Sequence, residues 1–163
     1  MTKQLVSMTK NYLFASSKPW HESAFDSLQD ARSGNWERIS TPDELHDAVG
    51  RLAPRYIFFL HWNWHVSEEI WSRYECVCFH MTDVPYGRGG SPLQNLIVAG
   101  HTETQLSALR MIEEMDAGPV YAKRPMSLDG RAEDIYIRAG EISTDIIRWI
   151  VETEPEPIPQ EGK

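Results

Sequence analysis

The segment CVCFHMTDVPYGRGGSPLQNLI, running from Cys76 to Ile97, gathers most of the residue types in this chain that could do chemistry. Three chemistries compete for it. On a strand, alternate side chains share a face, so Cys76, Cys78 and His80 would line up, with His61 and His65 in a neighbouring loop. A zinc site needs three or four such ligands at roughly 2.0–2.3 Å. Cys76, however, would lie about 6–7 Å deeper along the strand than His80, and free cysteines usually pack as small core residues. No metal is therefore expected. GRGGSP resembles a glycine-rich loop opening a helix, where anions bind well. It lacks the Walker Lys-Ser/Thr and the dinucleotide glycine spacing, so a tight turn is the plainer reading. The third chemistry is general acid/base work by His80 at a strand end. A carboxylate partner is available in Asp116 of EEMDAGPV, although Asp116 would equally serve a turn with Gly118 and Pro119. Sequence spacing alone does not bring Asp116 to His80.

The positioning elements alternate in type. NYLFAS (Asn11–Ser16), RYIFFLHW (Arg55–Trp62) and CVCFH (Cys76–His80) read as strands, as do TQLSALRMI and PVYAKRPMSL later. Thr41–Pro54 reads as a helix, with Thr41 as cap, Pro42 first, Glu44 closing a capping box, and Leu45, Ala48, Val49 and Leu52 as its apolar stripe. SPLQNLIVAG repeats that pattern, with Ser91 as cap, Gln94 reaching back and Gly100 ending the helix. Ala132–Glu152 forms a long amphipathic helix with Ile135, Ala139, Ile142, Ile146 and Ile150 on one face. Strands alternating with helices predict an α/β fold, a mostly parallel sheet with helices on both faces. Ligands bind beyond the carboxyl ends of such strands. The loops HWNWHV and HMTDVPYGRGG should then share one edge and one site.

With 163 residues, 41% hydrophobic and 25% charged, the chain suits one folded domain. We expect residues 1–152 to form it and the Pro- and Glu-rich residues 153–163 to be an extended or flexible tail. The net charge of −8 and the absence of a Lys/Arg run argue against a nucleic-acid partner. Cys76 and Cys78 cannot pair within one strand, MTKQLVSMTKNYLF has no signal-peptide core, and no apolar run could span a bilayer. The expectation is a cytoplasmic, soluble protein without a membrane partner. Apolar residues near Trp149 and Ile150 make a homodimer an option.

At these residues the chain resembles the folate-dependent formyltransferases that act on methionyl-tRNA, amino sugars and glycinamide ribonucleotide. Their pattern runs Asn-x-His-x-Ser-Leu-Leu-Pro, an Arg-Gly turn, a Pro opening a helix, and an Asp-x-Gly turn downstream. His80 stands five residues before Pro85; Arg88 and Gly89 supply the turn; SPLQ matches the helix opening; Asp116 and Gly118 match DAG. The similarity covers about Tyr56 to Leu128, and two linked motifs make it specific.

The resemblance implies a Rossmann-like, formyltransferase-type fold with a compressed part before Tyr56. It implies transfer of a formyl group from 10-formyltetrahydrofolate to a primary amine. His80 and Asp116 would be catalytic. The loop of His61, Trp62, Asn63 and Trp64, with the backbone around Glu113, Glu114 and Met115, would cradle the pterin. Arg88, Gln94 and Asn95 would face the acceptor. Cys78 departs from the pattern by replacing an Asn that donates to the formyl oxygen, and a thiol is a weak donor; Asn63 is the substitute expected to share the catalytic work. No accessory domain is seen after Glu152, which with the acidic charge favours a small-molecule amine, first a nucleotide-linked amino sugar or natural-product amine. A 10-formyltetrahydrofolate hydrolase-like enzyme, or a degenerate folate-binding domain without catalysis, are the alternatives.

Overall fold

Strands buried on both faces need apolar side chains at consecutive positions, and the centre of this sheet meets that demand. The computed structural model describes residues 9–30 and 34–162; the reading of the extreme amino terminus falls largely on residues outside these. β1 (Asn11–Ala15), β3 (Tyr56–Phe59) and β4 (Glu75–His80) run parallel side by side. β2 (Asn35–Ile39) joins β1 in parallel, whereas β5 (Glu103–Arg110) and β6 (Val120–Ser127) extend the sheet from β4 in antiparallel fashion. The six strands are ordered β2-β1-β3-β4-β5-β6.

Alternation along the central strands splits the interior into two cores. Tyr12, Phe14, Tyr56, Phe58 and Val77 face the helices α1 (Glu22–Asp30), α4 (Pro92–Val98) and α5 (Ala132–Thr153). Leu13, Ala15, Ile57, Phe59 and Cys76 face α2 (Pro42–Leu52) and the short α3 (Glu68–Trp71). The expected stripe of α5 lies on the first core, with Ile135, Ile146 and Ile150 fully buried and Ile142 packed against it. Ile150 is therefore covered by its own sheet, and Trp149 packs on the same core under Arg124. Of the two residues that suggested a homodimer, Ile150 is buried in the fold and Trp149 is partly exposed.

Several local expectations are corrected. The part before Tyr56 holds two strand–helix units, β1–α1 and β2–α2, where only β1 and α2 were foreseen. NWERI carries charges at Glu37 and Arg38 and buries only Trp36 and Ile39, which hides its strand pattern. Ser91 is not a side-chain cap: it sits in the left-handed region (φ 55°) and makes no cap bond. Gln94 reaches Tyr136 rather than back to the helix start.

The segment after α5 is extended and makes specific contacts. Ile158 exchanges two backbone hydrogen bonds with Val120 (2.7 and 2.8 Å), and Gln160 bonds to the loop between β5 and β6. Among the described residues no helix is long and apolar enough to cross a membrane.

Thr41 caps α2 as expected, its Oγ1 accepting from the Glu44 amide at 3.2 Å. Thr41→Ala should lower the unfolding free energy by about 1 kcal/mol, read as a lower urea midpoint with an unchanged denaturant slope.

Candidate active site

β1, β3 and β4 end on the same edge, as a parallel sheet requires. A cleft of about 550 Å³ opens there, bounded by the loops after β3 and β4, by residues 109–116, and by one face of α5. His80 and Asp116 both line it.

Asp116 reaches His80 by an indirect route. β5 runs down from the edge, and the next residue, Met111, donates its amide to the Cys76 carbonyl at 2.8 Å. The β5–β6 connection then folds back along the sheet, a climb of about 13 Å from the level of Cys76 to that of His80. Gly118 permits the close packing this needs, since a Cβ there would lie 1.8 Å from the Arg110 carbonyl oxygen.

His80 is buried, and its ring is held through one nitrogen and faces a carboxylate with the other. Nε2 lies 2.7 Å from the Gly87 carbonyl oxygen, which can only accept, so Nε2 carries the hydrogen. Nδ1 is then the proton-accepting nitrogen, and it faces Asp116 Oδ2 at 3.5 Å. The same oxygen accepts the Gly89 amide at 2.9 Å. Gly87 has φ 71°, and a Cβ on it would meet the Thr82 side chain at 2.6 Å, so only glycine fits the turn that presents its carbonyl. The arrangement can take a proton at Nδ1 and stabilise the resulting imidazolium between a carbonyl and a carboxylate.

Trp62, Asn63, Trp64, Glu113, Glu114 and Met115 line the cleft beside the pair. Trp62 and Trp64 meet edge to face at 4.8 Å, and Trp62 Nε1 is buried without a hydrogen-bond partner among the described residues. An aromatic wall with one unpaired donor and a strip of backbone suits a flat heteroaromatic ring with polar edges, so the donor set fits a pterin.

No family model matches the chain. A methionyl-tRNA formyltransferase from Sorangium cellulosum is 37% identical over 92 residues, covering 53% of this chain and 30% of the relative. The matched stretch spans only roughly a third of the length of the curated relatives. The structure of a methionyl-tRNA formyltransferase from Clostridium thermocellum superposes with a TM-score of 0.90 at 39% identity, covering 94% of this chain and 70% of that one. The chain belongs to the folate-dependent formyltransferase family. HypX from Aquifex aeolicus, solved with tetrahydrofolic acid, shares the fold at a TM-score of 0.75 and 21% identity, covering 95% of this chain and 29% of that one.

Within this formyltransferase cleft the other expected residues divide. His61 lines the cleft as well, where at φ 51° it meets Tyr136 of α5 edge-on at 4.6 Å. Gln94 lines the cleft, but Arg88 and Asn95 do not. Arg88 is engaged by Gln160, and Asn95 by the Gly90 carbonyl. Cys78 does line the cleft, and its thiol is pushed up to about 12 by burial and then by the Asp116 carboxylate, so it stays neutral. Cys76 belongs to the second core, and among the described residues no group of three or more His, Cys, Asp or Glu could hold a metal.

The sequence reading passed over His21, Trp20, Tyr136 and Gln160. His21 is fully buried, its Nδ1 2.5 Å from Ser16 Oγ, and its ring stacks on that of His61 with centroids 5.6 Å apart. Nothing in the spacing around PWH marks it, because its partners come from β1, the loop after β3, and α5. Gly140 admits it: a Cβ there would lie 3.0 Å from His21 Cδ2.

Burial, then the neighbouring His61, lowers His21 to about 3; burial, then Lys18, lowers His61 to about 4. Both are neutral when folded and would titrate near 6.5 when unfolded. Below that value the unfolded chain binds protons that the native state refuses, so stability is complete above pH 6.5 and falls as the pH drops toward 4. The urea midpoint should therefore decrease between pH 7 and pH 4.5, with a slope approaching two protons. His21→Gln should remove about one of them, and an unchanged slope would contradict the assignment.

Proposed function

We propose that this chain transfers a formyl group from 10-formyltetrahydrofolate to a primary amine. The observation that carries the proposal is His80, fixed by the Gly87 carbonyl with Nδ1 toward Asp116, on the wall of an aromatic-lined cleft in a member of this family. The bound folate supplies an activated formyl carbon; overall, the amine nitrogen gains that carbon and loses a proton, and the folate nitrogen regains one. His80 Nδ1 accepts the proton from the attacking amine, and Asp116 stabilises the imidazolium until the proton is passed on. Trp62 and Trp64 hold the ring and narrow the access of water. Asn63 supplies the donor toward the formyl oxygen that Cys78 cannot, since it lines the same cleft and its amide is a much stronger donor than a thiol.

For the acceptor, we propose a small-molecule amine, first a nucleotide-linked amino sugar or a natural-product amine. The net charge of −8 supports this over a polyphosphate backbone. A second reading is methionyl-tRNA itself, favoured by the names of the relatives that match at 32–37% identity. Offering 10-formyltetrahydrofolate with each acceptor, and following tetrahydrofolate release against formylated product, separates the two. Free formate without formylated amine would indicate hydrolysis instead.

His80→Ala and Asp116→Ala should each lower kcat/KM by about 10²–10⁴, and Asn63→Ala by about 10²–10³. Wild-type rates in both the His80 and Asp116 variants would overturn the proposal. Cys78→Asn should bring no gain where the site has been rebuilt around Asn63; a large gain would mark a degenerate site.

A further inference from the structure

We propose that Gln160 is a positioning residue for the His80–Asp116 pair, its side-chain amide locking the turn that carries Asp116 to the turn that carries Gly87 and Gly89. The kinetic part of this inference rests on the formyl-transfer reading; the structural part does not.

Asp116 sits at φ 55°, in the left-handed region that non-glycine residues seldom adopt. Such a conformation persists only where its surroundings determine it. Gln160 provides that determination. Its Nε2 donates to the Asp116 carbonyl oxygen and to the Gly118 carbonyl oxygen, each at 2.8 Å. Its Oε1 accepts from Arg88 Nη2 at 2.7 Å and from Arg88 Nε at 3.2 Å. Both hydrogens and both lone pairs of the amide are used, and the orientation is unambiguous: a flipped amide would set its oxygen against two carbonyls and its NH₂ against a guanidinium.

The two turns joined in this way are those that meet at the pair. Gly87 accepts from His80 Nε2, Gly89 donates to Asp116 Oδ2, and Arg88 stands between them. A shift of the Arg88 turn against the Asp116 turn would move the imidazole and the carboxylate apart directly. The Arg88–Glu114 ion pair offers little resistance to that, being 4.0 Å long with Glu114 largely exposed. Gln160 is itself anchored by the double backbone bond of Ile158 to Val120, the first residue of β6. The restraint thus runs from the sheet through the tail to both turns. A misplacement of about 1 Å at reacting groups can cost on the order of 10²-fold in rate.

The test uses the full chain with Gln160→Ala and Gln160→Met, the latter keeping the side-chain length without the amide. We expect kcat for formyl transfer to fall about 10- to 100-fold in both, with KM for 10-formyltetrahydrofolate within about twofold. Independently of activity, hydrogen exchange at the Gly89 amide should accelerate in both variants while amides of β1, β3 and β4 keep their protection. Faster Gly89 exchange in both variants, together with a wild-type chain that transfers no formyl group, would sink the proposed function and leave the clamp standing. Wild-type Gly89 protection with kcat within twofold in both variants would overturn the clamp. So would an equal loss of protection across the central strands, which would mark Gln160 as a general support of the fold.

Discussion

Everything distinctive about this cleft depends on one oxygen. Asp116 Oδ2 receives the Gly89 amide at 2.9 Å and faces His80 Nδ1 at 3.5 Å. His80 belongs to the end of a parallel strand, whereas Asp116 belongs to the connection of an antiparallel pair that begins near the opposite end of that strand. Bringing them together requires residues 111–119 to double back along the sheet. The backbone accepts this through the left-handed conformation of Asp116 and the near contact of Gly118 with Arg110. Carbonyls turned outward by such a path need donors, and Gln160 meets two of them from a segment remote in sequence.

Burial sets the charge within the cleft. His21 and His61 are neutral because desolvation disfavours their cationic forms, and Cys78 is neutral because desolvation and Asp116 disfavour its anion. These three buried groups of the cleft lining therefore bring no charge to it. An imidazolium formed at His80 has the Asp116 carboxylate as its immediate counter-charge, and in a poorly solvated site that attraction is stronger than it would be in water. The same desolvation ties the stability of the fold to pH through the buried histidine stack.

The parts of the molecule that follow local rules were legible from the residues. The apolar runs of β1, β3 and β4, the cap of α2 and the stripe of α5 each carry their own signal within one short segment. The shared edge of the two polar loops followed from the parallel topology. What could not be read depends on partners distant in sequence. β2 and α1 are held by tertiary packing of a few side chains, Trp36 and Ile39 in one and Leu28 in the other, against periodic signals diluted by charge. The return path of Asp116, the turn of His61 at φ 51°, and the anchoring of a Pro- and Glu-rich tail have no local signature at all. Composition suggested solvent for that tail because it holds little apolar surface to bury. Its hold comes instead from the ion pairs of Glu154 with Lys10 and Arg55, four side-chain hydrogen bonds at Gln160 and two backbone bonds at Ile158.

The same reasoning bears on Cys78, which stands where the family pattern has Asn. Cys78 pairs with Phe59 on one side and Leu109 on the other, both almost wholly buried. It packs against the second core, the cluster that holds Ile57 and Cys76. An amide at this position brings two donors and an acceptor to a largely apolar wall, and each would need a partner or pay its desolvation. A thiol satisfies the packing without that requirement. On the proposed reading the polar function passes from the strand, where geometry is rigid, to the loop after β3, where Asn63 is exposed and lines the cleft. A donor on a loop is held less firmly than one on a strand, so the remaining fixed elements of the site, the Gly87 carbonyl, the Gly89 amide and the Asp116 carboxylate, have to carry more of the orientation.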